Sequence, residues 1–264
     1  MLAEKTITVA LAGQPNVGKS TVFNLLTGLS QHVGNWPGKT IKRKEGVHHH
    51  NDLVMHIVDL PGTYSLTANS LEEVIARDYI IKERPDVVVA IIDASALERN
   101  LYLVAELLPL PVPVIVALNM IDVAEQQGVH IEPKVLEAAL GVPVIPMVAT
   151  KNQGVRELVE AIEAIATGEF PYAPKHPRIR EDHREVLEEI EGLIASDVPK
   201  PYPSDWVALK LLEGDGEITE MMQKRLPEGR WGHAHDILSR HEDAILAVAS
   251  GRYGWIGRMI RAAV

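Results

Sequence analysis

Short runs rich in Val, Ile and Leu recur through the first two thirds of the chain. Residues 6–12, 40–46, 53–59, 87–93, 112–119 and 142–147 read as strands. Several of these runs are apolar at nearly every position, as parallel strands buried on both faces are. Between them, apolar residues return at helical spacing over residues 19–27, 71–82, 100–107, 133–139 and 155–166. Ser70 and Glu73 have capping-box spacing ahead of the second helix, and Gly28 can close the first. Strands alternating with helices through short connections predict an α/β fold with a mostly parallel, doubly wound sheet.

The pattern changes after residue 167. Residues 168–177 hold three prolines (Pro171, Pro174, Pro177) and read as a linker. Beyond it, residues 185–195, 206–212, 217–226 and 234–249 carry apolar positions only at helical spacing. The chain therefore divides into residues 1–167, a linker at 168–177, and a small all-helical unit at 178–264. A length of 264 residues suits that division.

Composition narrows the function. The net charge is −10, which disfavours sequence-independent nucleic-acid binding. Cysteine is absent, so disulfides and thiolate metal sites are excluded. No stretch approaches the ~20 apolar residues of a membrane span. Residues 1–6 lack the apolar core of a signal peptide.

The chemistry begins at Gly13-Gln14-Pro15-Asn16-Val17-Gly18-Lys19-Ser20, a G-x-x-x-x-G-K-S loop between a strand and a helix. Such a loop curls backbone N–H groups around a phosphate at the positive end of a helix dipole. Lys19 adds a charge on the β/γ phosphates, and the Ser20 hydroxyl can ligate Mg²⁺. Thr21 follows in the first helical turn. Asp59 ends a strand and begins Asp59-Leu60-Pro61-Gly62, where the carboxylate can serve Mg²⁺ and Gly62 N–H can approach a γ-phosphate. Asn119-Met120-Ile121-Asp122 follows another strand. The Asp122 carboxylate can accept from guanine N1–H and N2–H₂, a donor pair adenine lacks. The loop Val148-Ala149-Thr150-Lys151 can bring backbone amides to the same base. Residues 31–40 are polar and glycine-rich, as a mobile switch is, with Gly38, Lys39 and Thr40 able to reach the nucleotide. The Thr40 hydroxyl would complete the Mg²⁺ shell.

Together these segments resemble the cytosolic N-terminal part of the FeoB family of prokaryotic ferrous-iron transport proteins. Val33-Gly34-Asn35-Trp36-Pro37-Gly38-Lys39-Thr40 and Leu97-Glu98-Arg99-Asn100-Leu101-Tyr102-Leu103 carry the resemblance beyond the generic nucleotide motifs. It implies a P-loop GTPase G domain followed by a helical, GDI-like domain. It further implies GTP and GDP as ligands and a transmembrane iron-permease domain beyond this chain. The place implied is the cytoplasmic face of the bacterial inner membrane, with room for oligomerisation there. The basic, aromatic segment at 252–261 would suit that interface.

Two positions depart from the family pattern. Gln14 stands where Asn is usual, and its side chain is expected to point outward with little effect. Val148 stands where Ser is usual, which removes a hydroxyl and loosens guanine binding. Thr63 replaces the water-orienting glutamine of Ras-type GTPases and is too short for that task. Slow intrinsic hydrolysis follows unless another positive charge assists. The Asn16 carbonyl could ligate a monovalent cation, and the resemblance implies K⁺ there, completed by the Gly34 and Trp36 carbonyls. His48, His49 and His50 are expected in a solvated hairpin turn rather than a metal site. His233, His235 and His241 form no better one. A ribosome-assembly or tRNA-modifying GTPase is the alternative from another class, but residues 169–264 lack its basic RNA-binding character. A nucleotide sensor with no meaningful turnover is a third.

Overall fold

The computed structural model describes residues 5–177 and 181–264. Residues 1–4, and residues 178–180 where the sequence sets the start of the helical unit, lie outside the described residues. The described residues form seven strands: β1 (Lys5–Gly13), β2 (Gln31–Asn35), β3 (Lys42–His50), β4 (Leu53–Asp59), β5 (Val87–Asp93), β6 (Val114–Asn119) and β7 (Val144–Pro146). They form one sheet in the order β2-β3-β4-β1-β5-β6-β7. Neighbours from β4 to β7 pair parallel, while β2 and β3 add an antiparallel edge. The fully apolar β5 and β6 lie inside the sheet and are buried on both faces, as their composition requires.

Two helices cover one face: α1 (Lys19–Thr27) and α6 (Val155–Thr167). Val22, Phe23, Leu158 and Ile162 pack there with Val9, Leu11, Ile57, Val89 and Ile115. The other face carries α2 (Leu71–Asp78), α3 (Leu97–Leu107), a short α4 (Ile121–Gln126) and α5 (Pro133–Leu140). Ser70 Oγ caps α2 by accepting from Glu73 N–H at 3.2 Å. Where one helix was expected to run through residue 82, α2 continues as a π-helical turn at Tyr79–Glu83.

Five further helices follow: α7 (Glu181–Ile194), α8 (Ser204–Leu212), α9 (Gly216–Arg225), α10 (Glu228–Arg240) and α11 (Ala244–Ala263). Ile190, Trp206, Leu211, Ile237, Trp255 and Ile256 share one buried core with Val88, Val116 and Leu118 of the sheet. The helix α11 packs on α3 and α5, and Glu132 N–H donates to Ala263 O at 2.8 Å.

Four further sequence expectations change. Residues 31–35 form a strand, not a loop: the free edge of β3 supplies a backbone template that a polar, two-sided exposed segment can follow without any apolar signal. The histidines His48–His50 sit on β3 rather than in the turn, which falls on Asn51 and Asp52. His48 Nδ1 lies 2.8 Å from Leu26 O, and none of the three joins a metal-binding group among the described residues. The expected helix at 234–249 is two, broken where His241 leaves helical geometry. The segment 252–261 continues α11 through Gly254 and Gly257, whose low helix propensity is outweighed by burial of Trp255 and Ile256. Arg252 is also buried, so only Arg258 and Arg261 of its three arginines face solvent. Among the described residues no helix is long and apolar enough to cross a membrane.

The proline-rich stretch is irregular yet tied down. Lys175 N–H donates to Leu140 O at 2.8 Å, and Val114 N–H donates to the Tyr172 hydroxyl at 2.9 Å. That hydroxyl satisfies the N–H that opens β6 and would otherwise be partnerless. Tyr172→Phe should therefore destabilise the protein by about 1–2 kcal/mol, read as a lower urea midpoint at constant m-value.

Candidate nucleotide site

The chain winds one way from β1 to β4 and then crosses to β5 on the other side of β1. Loops at this reversal open a crevice at the carboxyl ends of the strands. Residues 13–20 leave β1 here, and a cleft of about 570 Å³ is lined by Gln14, Pro15, Asn16, Gly18, Lys19, Ser20, Thr21, Gly62 and Met120.

Backbone geometry explains the loop's glycines. A Cβ on Gly13 would stand 2.6 Å from Ile91 O of the neighbouring strand. Gly18 has φ +87° and lies against the Asn119 amide, so a side chain there meets both strain and a clash. Val17 is buried, while Asn16 is exposed and takes positive φ, 68°. The Lys19 ammonium pairs with the buried Asp59 carboxylate and donates to Leu60 O at 2.6 Å. Gly62 packs on Pro15, and Thr63 N–H donates to Gly13 O at 3.0 Å, so the loop after Asp59 and Pro61 lies directly on the phosphate loop.

Asn119 is a buried tie between loops. Its Nδ2 donates to Val17 O at 2.9 Å, and its Oδ1 accepts from Ala149 N–H at 3.0 Å. It neither caps α4 nor faces solvent; it joins the phosphate loop to Val148, Ala149 and Thr150. Met120 takes a left-handed conformation, φ 59°, and α4 starts after it. Asp122, in the first turn of α4, accepts from Val123 N–H at 3.1 Å and from Lys151 Nζ at 2.8 Å. The Lys151 hydrogen bond holds its carboxyl below the ordinary aspartate range.

Gln14 differs from expectation. Its side chain is buried and donates through Nε2 to Arg99 O at 2.7 Å, so it straps the phosphate loop to the start of α3. The extra methylene over asparagine supplies the reach.

The segment 34–40 does not line the cleft. Gly34 is paired with Arg43 in β2, and β3 and β4 stand between that strand and β1. Trp36 O accepts from Lys39 N–H at 2.9 Å in a turn, while Gly38, Lys39 and Thr40 are solvent-exposed. The Trp36 indole is buried, edge-on to Tyr79 at 5.5 Å between centroids, with the Arg43 guanidinium 4.8 Å over its ring. Burial pushes the Tyr79 hydroxyl up to about 12. The oxygens expected for K⁺ are thus split: Asn16 lies at the cleft, and Gly34 and Trp36 lie on the sheet's far edge.

Residues 65–69, just past Gly62, are held one after another. The Ser65 hydroxyl donates to Glu73 at 3.2 Å, and Asn69 N–H donates to the same carboxylate at 3.2 Å. Leu66 N–H donates to Glu106 on α3. Lys210 on α8 donates to the Thr67 hydroxyl at 3.2 Å, and Ala68 N–H donates to Asp215 at 3.1 Å. Glu106 in turn meets Lys210 at 3.3 Å and Arg252 of α11 at 3.1 Å, and Glu213 pairs with both cations. Asp215 pairs with Arg77 of α2 at 3.2 Å. Sequence reading missed this network, although its signal was present. Glu106 interrupts Leu103-Val104-Ala105-Glu106-Leu107-Leu108, and Lys210 interrupts Val207-Ala208-Leu209-Lys210-Leu211-Leu212. Lone charges in apolar runs mark buried, paired groups.

Comparison with known proteins gives the following. A family model described as "Ferrous iron transport protein B" matches residues 7–162, and one described as "FeoB cytosolic helical domain" matches residues 181–264. The "Fe(2+) transporter FeoB" of Shigella flexneri is 40% identical over 264 aligned residues. The alignment takes 94% of this chain and 32% of that protein, so the chain spans about a third of the relative's length. Among solved structures, a mutant S. thermophilus NFeoB bound to mGDP superposes with TM-score 0.88 at 36% identity, covering 98% of this chain and 100% of that one. The cytosolic domain of T. maritima FeoB in a GDP form gives 0.85 at 32% identity, covering 98% and 99%.

Burial alone would raise the Glu106 carboxyl; Lys210 and Arg252 beside it outweigh that and hold it below the ordinary glutamate range. A carboxyl lowered in the folded state stabilises above its unfolded value, about 4.3, and that contribution is lost as pH falls through the folded value. Thermal melts between pH 3 and 7 should show this loss, and Glu106→Gln should flatten it. Lys210→Met, which leaves Glu106 and Glu213 short of a cation, should cost about 3–5 kcal/mol at pH 7.

Proposed function

This chain belongs to the FeoB family of ferrous iron transport proteins, and on that premise we propose that it is the transporter's GTP-binding and GTP-hydrolysing cytosolic regulatory domain. One observation carries the nucleotide reading. The loop 13–20 lines one cleft with Gly62 and Met120, the Asp59 loop packs on it, and Asn119 ties it to the loop 148–151, whose Lys151 holds Asp122, the residue that would read guanine. The solved relatives bound to GDP support guanine as the base.

Within this reading, Gly13 to Thr21 cradle the phosphates. Lys19 exchanges its contact with Asp59 for the β/γ phosphates, and Gly62 N–H faces the γ-phosphate. Ser20 and Asp59 supply hard oxygen donors at the cleft, which suits Mg²⁺; Thr40 would join them once residues 36–40 leave the sheet edge. Bound there, Mg²⁺ would neutralise charge on the phosphate oxygens. Thr63 is buried and short, so it cannot orient water as a glutamine would, and intrinsic hydrolysis of GTP to GDP and phosphate is slow.

Potassium activation belongs to the same reading. Asn16 is exposed at the cleft, where its carbonyl oxygen can ligate a cation, but Gly34 and Trp36 can assist only after β2 peels from β3. Residues 1–167 act as the G domain, 168–177 as the connection and 178–264 as the helical domain. The segment 65–69 would pass nucleotide state to α8, α9 and α11, and these to an iron-conducting membrane domain. On the same reading the chain would work at the cytoplasmic face of the bacterial inner membrane.

Steady-state phosphate release in matched K⁺ and Na⁺ buffers tests this. GTP hydrolysis should be several-fold faster in K⁺, and Asn16→Ala should remove the difference while retaining GDP binding. Equal rates in the two salts would sink the potassium part; absence of GTP turnover in either would sink the enzyme.

A further inference from the structure

The base-reading carboxylate has a side-chain partner in the loop 148–151, of which only the backbone amides were assigned to the base. Lys151 Nζ donates to Asp122 Oδ2 at 2.8 Å, on the opposite oxygen from Val123 N–H. The lysine is brought there by a fixed loop. Ala149 N–H donates to Asn119 Oδ1, and Val148 and Gln153 exchange two backbone hydrogen bonds at 3.2 Å. A short helical turn over Ala149–Lys151 then aims residue 151 back at α4. Position 148 itself gives Asp122 nothing: Val148 is buried, apolar and committed through its backbone to Gln153. Among the described residues, Lys151 is the one side chain that donates to Asp122.

We propose that Lys151 is a positioning residue for guanine recognition, orienting the Asp122 carboxylate and keeping it ionised where Val148 supplies no hydroxyl to do so. This rests on the guanine reading above. Each carboxylate oxygen has two lone-pair sites, so Lys151 and Val123 leave one on each for N1–H and N2–H₂ of the base. A neutral carboxyl could not accept both bonds, so a cation beside Asp122 protects the acceptor pair against protonation. The effect is modest because the pair is partly solvated: Lys151 is 57% exposed and Asp122 24%. An exposed pair of this kind corresponds to an affinity change of up to about fivefold.

The test is a titration of the protein and three variants with GDP, inosine diphosphate and ADP. Inosine lacks the exocyclic amine and offers Asp122 one donor. Lys151→Met keeps the aliphatic stem and removes the charge. It should weaken GDP about two- to fivefold, narrow the preference for GDP over inosine diphosphate, and leave ADP unchanged. Lys151→Arg should restore most of the loss. On acidification, Lys151→Met should lose GDP at a higher pH than the unmodified protein. Unchanged GDP affinity and pH profile in Lys151→Met would overturn the proposal. So would tighter GDP binding, which would make Lys151 a competitor of the base. The Asp122→Asn variant separates the two layers: if it keeps the guanine preference, the guanine reading itself falls, and the role of Lys151 with it.

Discussion

The buried charges around Glu106 are the constraint on which the rest of this structure depends. Glu106, Lys210, Arg252 and Glu213 come from three helices, α3, α8 and α11, and the loop after α8. All four are almost fully removed from water. Two anions and two cations balance, which makes that burial tolerable. Glu106 then gives its other oxygen to Leu66 N–H, so the segment just past Gly62 cannot shift without disturbing a set of paired charges. Asp215 repeats the device one step along, with Ala68 on one side and Arg77 on the other. A position set by buried ion pairs is discrete rather than elastic.

The nucleotide loops show the same economy by other means. Asn119 joins the loop 13–20 to the loop 148–151 with the two hydrogen bonds of a single amide. Its approach is the reason residue 18 is glycine. Gln14 ties the same loop to Arg99, at the head of the helix that carries Glu106. The phosphate cradle and the helical region therefore meet through α3 as well as through residues 65–69. The segment 34–40 is the contrasting case. It is held by a two-stranded edge and one indole against Tyr79, which are contacts that can be exchanged without opening a core.

Much was legible in the residues. The six strand runs, α1 and α6, the cap at Ser70 and the motifs at 13–20, 59–62 and 119–122 are local patterns, and local physics suffices to read them. Departures arose wherever the deciding partner lies far along the chain. β2 has no apolar alternation and exists because β3 offers it an edge. Gln14 turns inward because Arg99 O waits 85 positions away. Arg252 was expected near a membrane and is instead the counter-ion of a glutamate 146 positions earlier, as 252 less 106 shows.

By itself, then, the sequence determined the fold class and the strand–loop–helix setting of residues 13–20, because glycine spacing and strand composition act over a few residues. It also carried the family likeness. Tertiary structure alone decided which charges pair, where residues 34–40 rest and what holds Asp122. Those outcomes depend on which groups share a low-dielectric neighbourhood, and only the folded chain brings them within reach of one another.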